Sequence, residues 1–366
     1  MKTARSTHLL LSLLLILLAL APRSTQAAGP LTTCTPTDLG PLGGSGVSVA
    51  FGINASGQVV GASTTQDAYH AVRWDTGAIT TTGAITPTDL GTSTGITTSI
   101  AYGINDRGVV VGVSGSAVEW APAVTATTPI TSLGLPSGAT DGVARAINVN
   151  GQVAGYADTK AASGNSVPHA VRWDAGMTTP TALSTSPSFA YGINASGVVV
   201  GVAAGSGAVE WAAGATATTP ITTLGLLQGG TFGFARAINA NGQVVGYVDT
   251  KDASGNTATH AVLWNGTTTA TDLGTLSGIT ATIALGINTS GVVVGAAGTT
   301  PDGNIFGHAV LWNAGATTPT DLGLLLPPNS GWDLGIAYAI NDAVPAQIVG
   351  VGSINGAFHG FRLTCS

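Results

Sequence analysis

The groups that could do chemistry in this sequence repeat instead of converging. Five histidines follow residue 28, at 70, 169, 260, 308 and 359, and each occupies the same place in a short motif such as "HAVRW" at His70–Trp74. Six of the seven tryptophans, at 74, 120, 173, 211, 264 and 312, share another place. A catalytic group is needed once, whereas a packing group is needed in every copy of a repeat. His70, His169, His260, His308 and His359 are therefore read as structural hydrogen-bonders, to a neighbouring turn or to the aspartate of a recurring "DLG". Removing one, such as His308, is expected to cost about 1–3 kcal/mol if it leaves a buried partner unsatisfied.

The carboxylates behave in the same way. Asp38, Asp89, Asp272 and Asp321 are each the aspartate of "DLG", and the only glutamates, Glu119 and Glu210, share one repeat position. Glycoside hydrolysis needs two carboxylates about 5–9 Å apart in unlike environments. G-x-S-x-G occurs once, as "GTSTG" at 91–95, but no helical period follows it as a nucleophile elbow requires. H-E-x-x-H does not occur, and "DTKDASGN" at 249–256 lacks the D-x-D-x-D-G spacing of a calcium loop. No catalytic residue, metal ligand or cofactor is assigned. An extracellular hydrolase or lyase, acting on a polysaccharide at one face of the fold, is the alternative reading. It would need a unique loop carboxylate, and only Asp67, Asp141 and Asp333 are scattered in that way.

Residues 1–28 carry Lys2 and Arg5, an apolar run from Leu9 to Leu20, and a polar stretch ending in small residues at Ala27 and Ala28. This is the pattern of a secretory signal peptide. The run is too short to span a bilayer, so no membrane span is expected. After cleavage eight basic residues face seventeen acidic ones, which argues against nucleic acid as a partner. Only 8% of the residues are charged, against 44% hydrophobic, so the disorder expected of highly charged, weakly apolar chains is excluded.

A unit of the form A-x-G-I-N-x-x-G-x-V-V-G, then H-A-V-x-W, then T-D-L-G recurs with its Asn at 54, 105, 148, 194, 239, 288 and 341. Seven copies fill residues 29–366 as a single domain. In "AFGINASGQVVG", Asn54 can accept from the backbone at the head of a type I turn, and Gly57 supplies the positive φ that follows. Two strands meet there in a hairpin; "HAVRW" is a third strand and "TDLG" a fourth. Runs such as "GVVVG" are apolar on both faces, so neighbours cover each sheet on both sides. The expected fold is all-β, a seven-bladed β-propeller of four-stranded blades.

The chain opens with an isolated fourth strand, "TPTDLG", and closes with three strands ending "HGFRLTC". Together the fragments make one blade, so the N-terminal strand is expected to complete the last one. Aligned on "WNAGATTPTDLG" at 312–323, Cys365 takes the place of Ala314 and Cys34 that of Thr317, on either side of a turn. In an exporting compartment the pair reads as a disulfide that replaces that turn. "LTTC" also resembles a lipoprotein acylation box, against which stand Thr33 and the intervening Pro22, Arg23 and Pro30.

The pattern "GIN … G-x-VVG … HAVxW … DLG" resembles the HAF-repeat family of bacterial extracellular proteins across all seven copies, with Val where the family name has Phe. It departs at "SAVEW" and "GAVEW" in copies two and four, which lack the His, and at "INDAVPAQIVG" in copy seven, where the turn is two residues longer. The resemblance implies export and a repeat scaffold and no particular activity.

A longer repeat overlies the short one. Residues 101–165 and 190–256 are nearly the same sequence, so a two-copy unit was duplicated. Copies three and five carry the longest segments between the second and third strands, holding Asp158, Lys160, Asp249, Lys251 and Asp252; copy six adds Asp302 and Phe306. Charge collects at loop tips because tips are solvated. Alternatively this rim binds a neutral or mixed-charge glycan, or a protein. The function expected is a secreted or surface-associated, monomeric, non-catalytic scaffold presenting its loops to such a ligand.

Peptide mapping under non-reducing conditions is expected to recover Cys34 and Cys365 in one linked fragment, and free thiols at both would overturn the pairing. Replacing both with serine is expected to lower the melting temperature with strand content unchanged, the lost contribution being at most about 4–6 kcal/mol on a chain-entropy estimate.

Overall fold

The computed structural model describes residues 29–366 apart from 66–67, 78–82, 124, 162, 252–254, 256, 267–268 and 299–306. The leader expected at 1–28 lies outside the described residues. The described chain is all-β, with two short 3-10 turns and no α-helix among the described residues. After β1 (Cys34–Leu39) the strands come in groups. Sheet one is β2–β5 (Ser48–Ile53, Val59–Thr64, Tyr69–Trp74, Thr88–Asp89), and sheet two is β6–β9 (Ile100–Ile104, Val110–Ser114, Ser116–Trp120, Thr131–Ser132). Sheet three is β10–β13 (Ala139–Ile147, Val153–Lys160, Ser166–Trp173, Thr181–Ala182), and sheet four is β14–β17 (Ser188–Ile193, Val199–Ala203, Gly207–Trp211, Thr222–Thr223). Sheet five is β18–β21 (Gly230–Ile238, Val244–Lys251, Thr257–Trp264, Ala270–Asp272), and sheet six is β22–β25 (Ala281–Ile287, Val293–Gly298, His308–Trp312, Thr320–Asp321). Sheet seven holds β26–β28 (Trp332–Ile340, Ala346–Ile354, Ala357–Cys365).

Each group is an antiparallel meander, and one parallel bridge, Thr259 to Ala281, joins sheets five and six. The seventh lacks a fourth strand of its own. β1 supplies it, running antiparallel to β28 with Cys34 opposite Cys365 and Leu39 opposite Gly360. The two cysteines are bonded to each other across a sequence separation of 331.

The sheets stack through apolar layers. Trp120 is fully buried among Val60, Ala71 and Leu90 of sheet one and Ala101 and Val110 of its own sheet. The same kind of layer joins the last sheet to the first, where Leu39 and Val349 meet Ala50, Val59 and Trp74. Burial on both faces explains why the second strands carry continuous apolar runs, such as Val199–Ala203, instead of alternating. Four indole N–H groups also donate to the preceding sheet, as Trp74 does to the Gly40 carbonyl at 3.0 Å and Trp173 to that of Gly134 at 2.8 Å.

One irregularity recurs in all seven sheets. The first strand bulges, leaving out of the ladder the residue three places before the turn Asn: Phe51, Tyr102, Arg145, Tyr191, Arg236, Leu285 and Tyr338. A bulge crowds the partner strand. The partner there is the Gly of "VVG"; a Cβ on Gly201 would lie 1.9 Å from the Phe189 carbonyl oxygen, and its six counterparts would meet first-strand carbonyls at 1.8–2.0 Å.

The turn asparagines are buried, 3–6% exposed, and each works in two directions. Asn148 Oδ1 accepts from the Gln152 backbone N–H at 2.9 Å, which holds its own turn. Its Nδ2 donates to the Asn194 carbonyl of the next sheet, also at 2.9 Å. The same donation runs from Asn54 to Asn105, Asn105 to Asn148, Asn194 to Asn239, Asn239 to Asn288, Asn288 to Asn341 and from Asn341 back to Asn54. The first strands follow this circuit, each packing on the next and β26 on β2.

Asn105→Asp keeps the acceptor for the Val109 backbone N–H and removes only the donor to the Asn148 carbonyl of sheet three. It is expected to destabilise the fold by about 1–3 kcal/mol, the usual consequence of an unsatisfied buried group. Urea unfolding checks this, and an unchanged midpoint would make the inter-sheet bond incidental.

Candidate ligand-binding site

Strand alternation sorts the connections onto two faces. The Asn turns and the turns between third and fourth strands share one face. The turns between second and third strands, with the sheet-to-sheet connections, share the opposite face, and the residues singled out in the sequence lie toward it.

The repeated histidines find the "DLG" aspartates. His70 Nδ1 lies 2.9 Å from Asp89, His260 2.9 Å from Asp272, His308 2.7 Å from Asp321 and His359 2.9 Å from Asp38. In three of these the other carboxylate oxygen accepts the backbone N–H two residues on, as Asp89 does from Gly91 at 2.8 Å. His and Asp are both absent from sheets two and four. Sheet three keeps His169 but has Ala182 where the Asp would stand. The imidazoles are less buried than the sequence reading supposes. The His308 ring is 46% exposed, so its loss is expected to cost no more than about 1 kcal/mol, the level of an exposed ion pair.

The rim segments read as loops are instead strand extensions. β11 and β12 pair to their ends, with Asp158 opposite Pro168 and Lys160 opposite Ser166; β19 and β20 do the same, with Asp249 opposite Thr259 and Lys251 opposite Thr257. The Thr- and Val-containing segments satisfy their backbone groups by pairing, so these four residues stand on hairpin strands and not at loop tips. Asp252, Asp302 and Phe306 lie outside the described residues. The two charged pairs belong to different sheets with sheet four between them. Their surroundings differ as well. Asp158 faces Asp141 across the β10–β11 ladder, and burial, reinforced by the Asp141 charge, raises its carboxyl pKa against the opposing influence of Lys160 and His169. Asp249 faces Phe232 and accepts from Thr259 Oγ1 at 2.8 Å.

A cavity of about 790 Å³ opens where sheet seven meets its neighbours. Trp332, the tryptophan outside the repeat position, forms part of its wall and sets its ring edge-on to Phe361 at 6.1 Å. Thr86, Asn329, Asn355 and the His359–Asp38 pair bring polar groups to it. Asn329 and Asn355 are the two non-glycine residues with positive φ among the described residues, 61° and 52°. The sequence reading missed this cavity. Its signals were the off-repeat Trp332 and the "LLLPPNSGW" connection between sheets six and seven. A smaller cavity of about 430 Å³ beside sheet five takes in Lys251, His260 and Asp272.

The seven bulged residues form a second grouping that the sequence reading did not pick out. All are half-buried. Phe51 meets Tyr102 at 5.5 Å and Tyr338 at 5.1 Å. The Arg145 guanidinium lies over the Tyr102 ring at 4.2 Å, and that of Arg236 over Tyr191 at 4.5 Å. Burial raises the Tyr338 phenol pKa, and the charge of Arg236, two sheets away, opposes it. The side chains therefore converge on the space between the first strands.

Over residues 44–172 the chain matches the family described as "Protein of unknown function (DUF3466)". No curated protein matches it. Among solved structures it is similar to a gluconolactonase from Xanthomonas campestris, with TM-score 0.44 and 8% identity over 93% of this chain and 99% of that one. It is also similar to Trypanosoma rangeli sialidase, with TM-score 0.41 and 12% identity over 78% and 56% of the two chains. A third is the fungal Aleuria aurantia lectin, described as a six-bladed β-propeller with a novel fucose recognition mode, with TM-score 0.32 and 11% identity over 91% and 93%. Likenesses this distant say nothing of what the chain does.

Because the folded pKa of Asp158 is raised, its contribution to stability is fully present below the unfolded carboxyl range and is lost as pH rises through the folded value. Asp158→Asn is therefore expected to melt higher than the parent at neutral pH, with the difference vanishing in acid. Thermal melts across that range check it; a difference independent of pH would remove the assignment.

Proposed function

We propose that the chain is an exported seven-bladed β-propeller, closed by its N-terminal strand, that binds a glycan on the face opposite its Asn turns. The asparagine circuit returning from Asn341 to Asn54, the apolar layer between sheets seven and one, and the Cys34–Cys365 bond support the closed ring. The leader pattern and the resemblance to HAF-repeat proteins support export, and a disulfide fits an oxidising compartment.

The observation that carries the binding reading is the cavity at the seam. Its volume falls within the range of small-molecule sites, about 300–1,000 Å³. Trp332 offers an apolar ring for the C–H side of a sugar, and Asn329, Asn355 and Thr86 offer donors and acceptors for its hydroxyls. The His359–Asp38 pair in the wall recurs in three other sheets, which supports a scaffold role for it.

An array of neutral oligosaccharides probed with the chain from residue 29 is expected to yield a binder. Trp332→Ala should weaken that binder by about tenfold or more, some 1.4 kcal/mol. Asn355→Gly, which keeps the positive φ and removes only the amide, should weaken it without lowering the melting temperature. Absence of any binder, or an affinity unchanged in both variants, would reject the reading.

A further inference from the structure

We propose that the first strands of sheets three to five form a second site, which takes the carboxylates of an acidic oligosaccharide at Arg145 and at Arg236, the two being linked through the contacts of Tyr156, Phe189 and Tyr191. The inference is independent of the seam cavity. Eight basic residues follow the leader in an acidic chain, and two of them, Arg73 and Arg172, are paired with Asp75 and Asp174. Arg145 and Arg236 have no carboxylate within ion-pair distance among the described residues. The Nε of Arg145 is buried with no hydrogen-bond partner.

A half-buried guanidinium without an anion is unfavourable, and stacking on Tyr102 and Tyr191 compensates only in part, by about 0.5–2 kcal/mol for each contact. A carboxylate supplies what is missing, because its two oxygens match the guanidinium fork. The other five bulged positions hold Phe, Tyr or Leu and carry no cation.

The approach to this pair is aromatic. Tyr156 and Phe189 lie 4.8 Å apart, Phe189 stacks on Tyr191 at 6.1 Å, and Phe234 stacks on Tyr247 at 4.8 Å. All are half-buried. They occupy first and second strands of sheets three to five, between the arginines and the hairpins that carry Lys160 and Lys251. Apolar ring faces beside two guanidinium groups suit an anion borne on a sugar ring better than a free inorganic anion. The duplication explains the pairing of parts: "ARAIN" and "YADTK" in sheet three return as "ARAIN" and "YVDTK" in sheet five. Sheet four, with Phe189 and Tyr191, stands between the two copies.

Calorimetric titration of the chain from residue 29 with a galacturonic acid trimer, the neutral galactose trimer and inorganic phosphate tests the proposal. The uronate is expected to bind about tenfold or more tighter than either control, and Arg145→Gln with Arg236→Gln to remove that margin. Arg145→Lys with Arg236→Lys, which keeps the charge and the stem, guards against misfolding of the glutamine pair; it should lose about tenfold in affinity as the forks are lost. Trp332→Ala should leave uronate binding unchanged, which separates this site from the seam cavity. No uronate binding, equal binding of the neutral trimer or of phosphate when the seam cavity is disabled by Trp332→Ala, or full affinity in the folded lysine pair would overturn the proposal.

Discussion

Each of seven buried asparagines divides its amide between two tasks, and the arrangement of the sheets depends on that division. The oxygen holds the turn that ends the first strand, while the nitrogen holds the corresponding turn of the next sheet. A side chain that only closed its own hairpin would leave the spacing between sheets to the apolar layers. With both halves engaged, local turn and sheet-to-sheet distance become one constraint, and a buried amide has little alternative because an unmet donor there is costly. Meeting the constraint seven times carries the hydrogen bonds from Asn54 round to Asn341 and back.

Close spacing of the first strands has a consequence at the bulge. Beside each bulge the second strand comes so near the first that only glycine fits, at Gly201 and its counterparts. The residue left out of the ladder turns toward the space between the first strands. The repeat thus delivers one side chain per sheet to a shared place and leaves the identity of that side chain free. Sheets three and five use the freedom to bring in Arg145 and Arg236.

What repeats and what does not therefore divide the labour. His–Asp pairs, buried tryptophans and turn asparagines recur and hold the sheets together. Trp332, the connection before it, and the arginines of the duplicated unit do not follow the short repeat, and they line the cavity at the seam and the cationic grouping between the first strands. The His–Asp contacts at 2.7–2.9 Å fit this division, since a pair present in four sheets serves each sheet alike.

Much of the architecture was legible in the residues because it is written as local periodicity. Four strands per copy, apolar runs covered on both faces, and an N-terminal fragment that complements the C-terminal one follow from spacing alone. So does the juxtaposition of Cys34 and Cys365, since a repeat aligned on itself predicts register. Other features were not legible. Asp158, Lys160, Asp249 and Lys251 read as loop residues because charge and small polar residues mark turns, yet pairing between neighbouring strands extended the hairpins through them. The inter-sheet half of the asparagine bonds, the convergence of the bulged residues, and the cavity around Trp332 all join residues from different sheets. Periodicity encodes what each copy does for itself; which side chains of separate copies meet is decided only when the sheets pack.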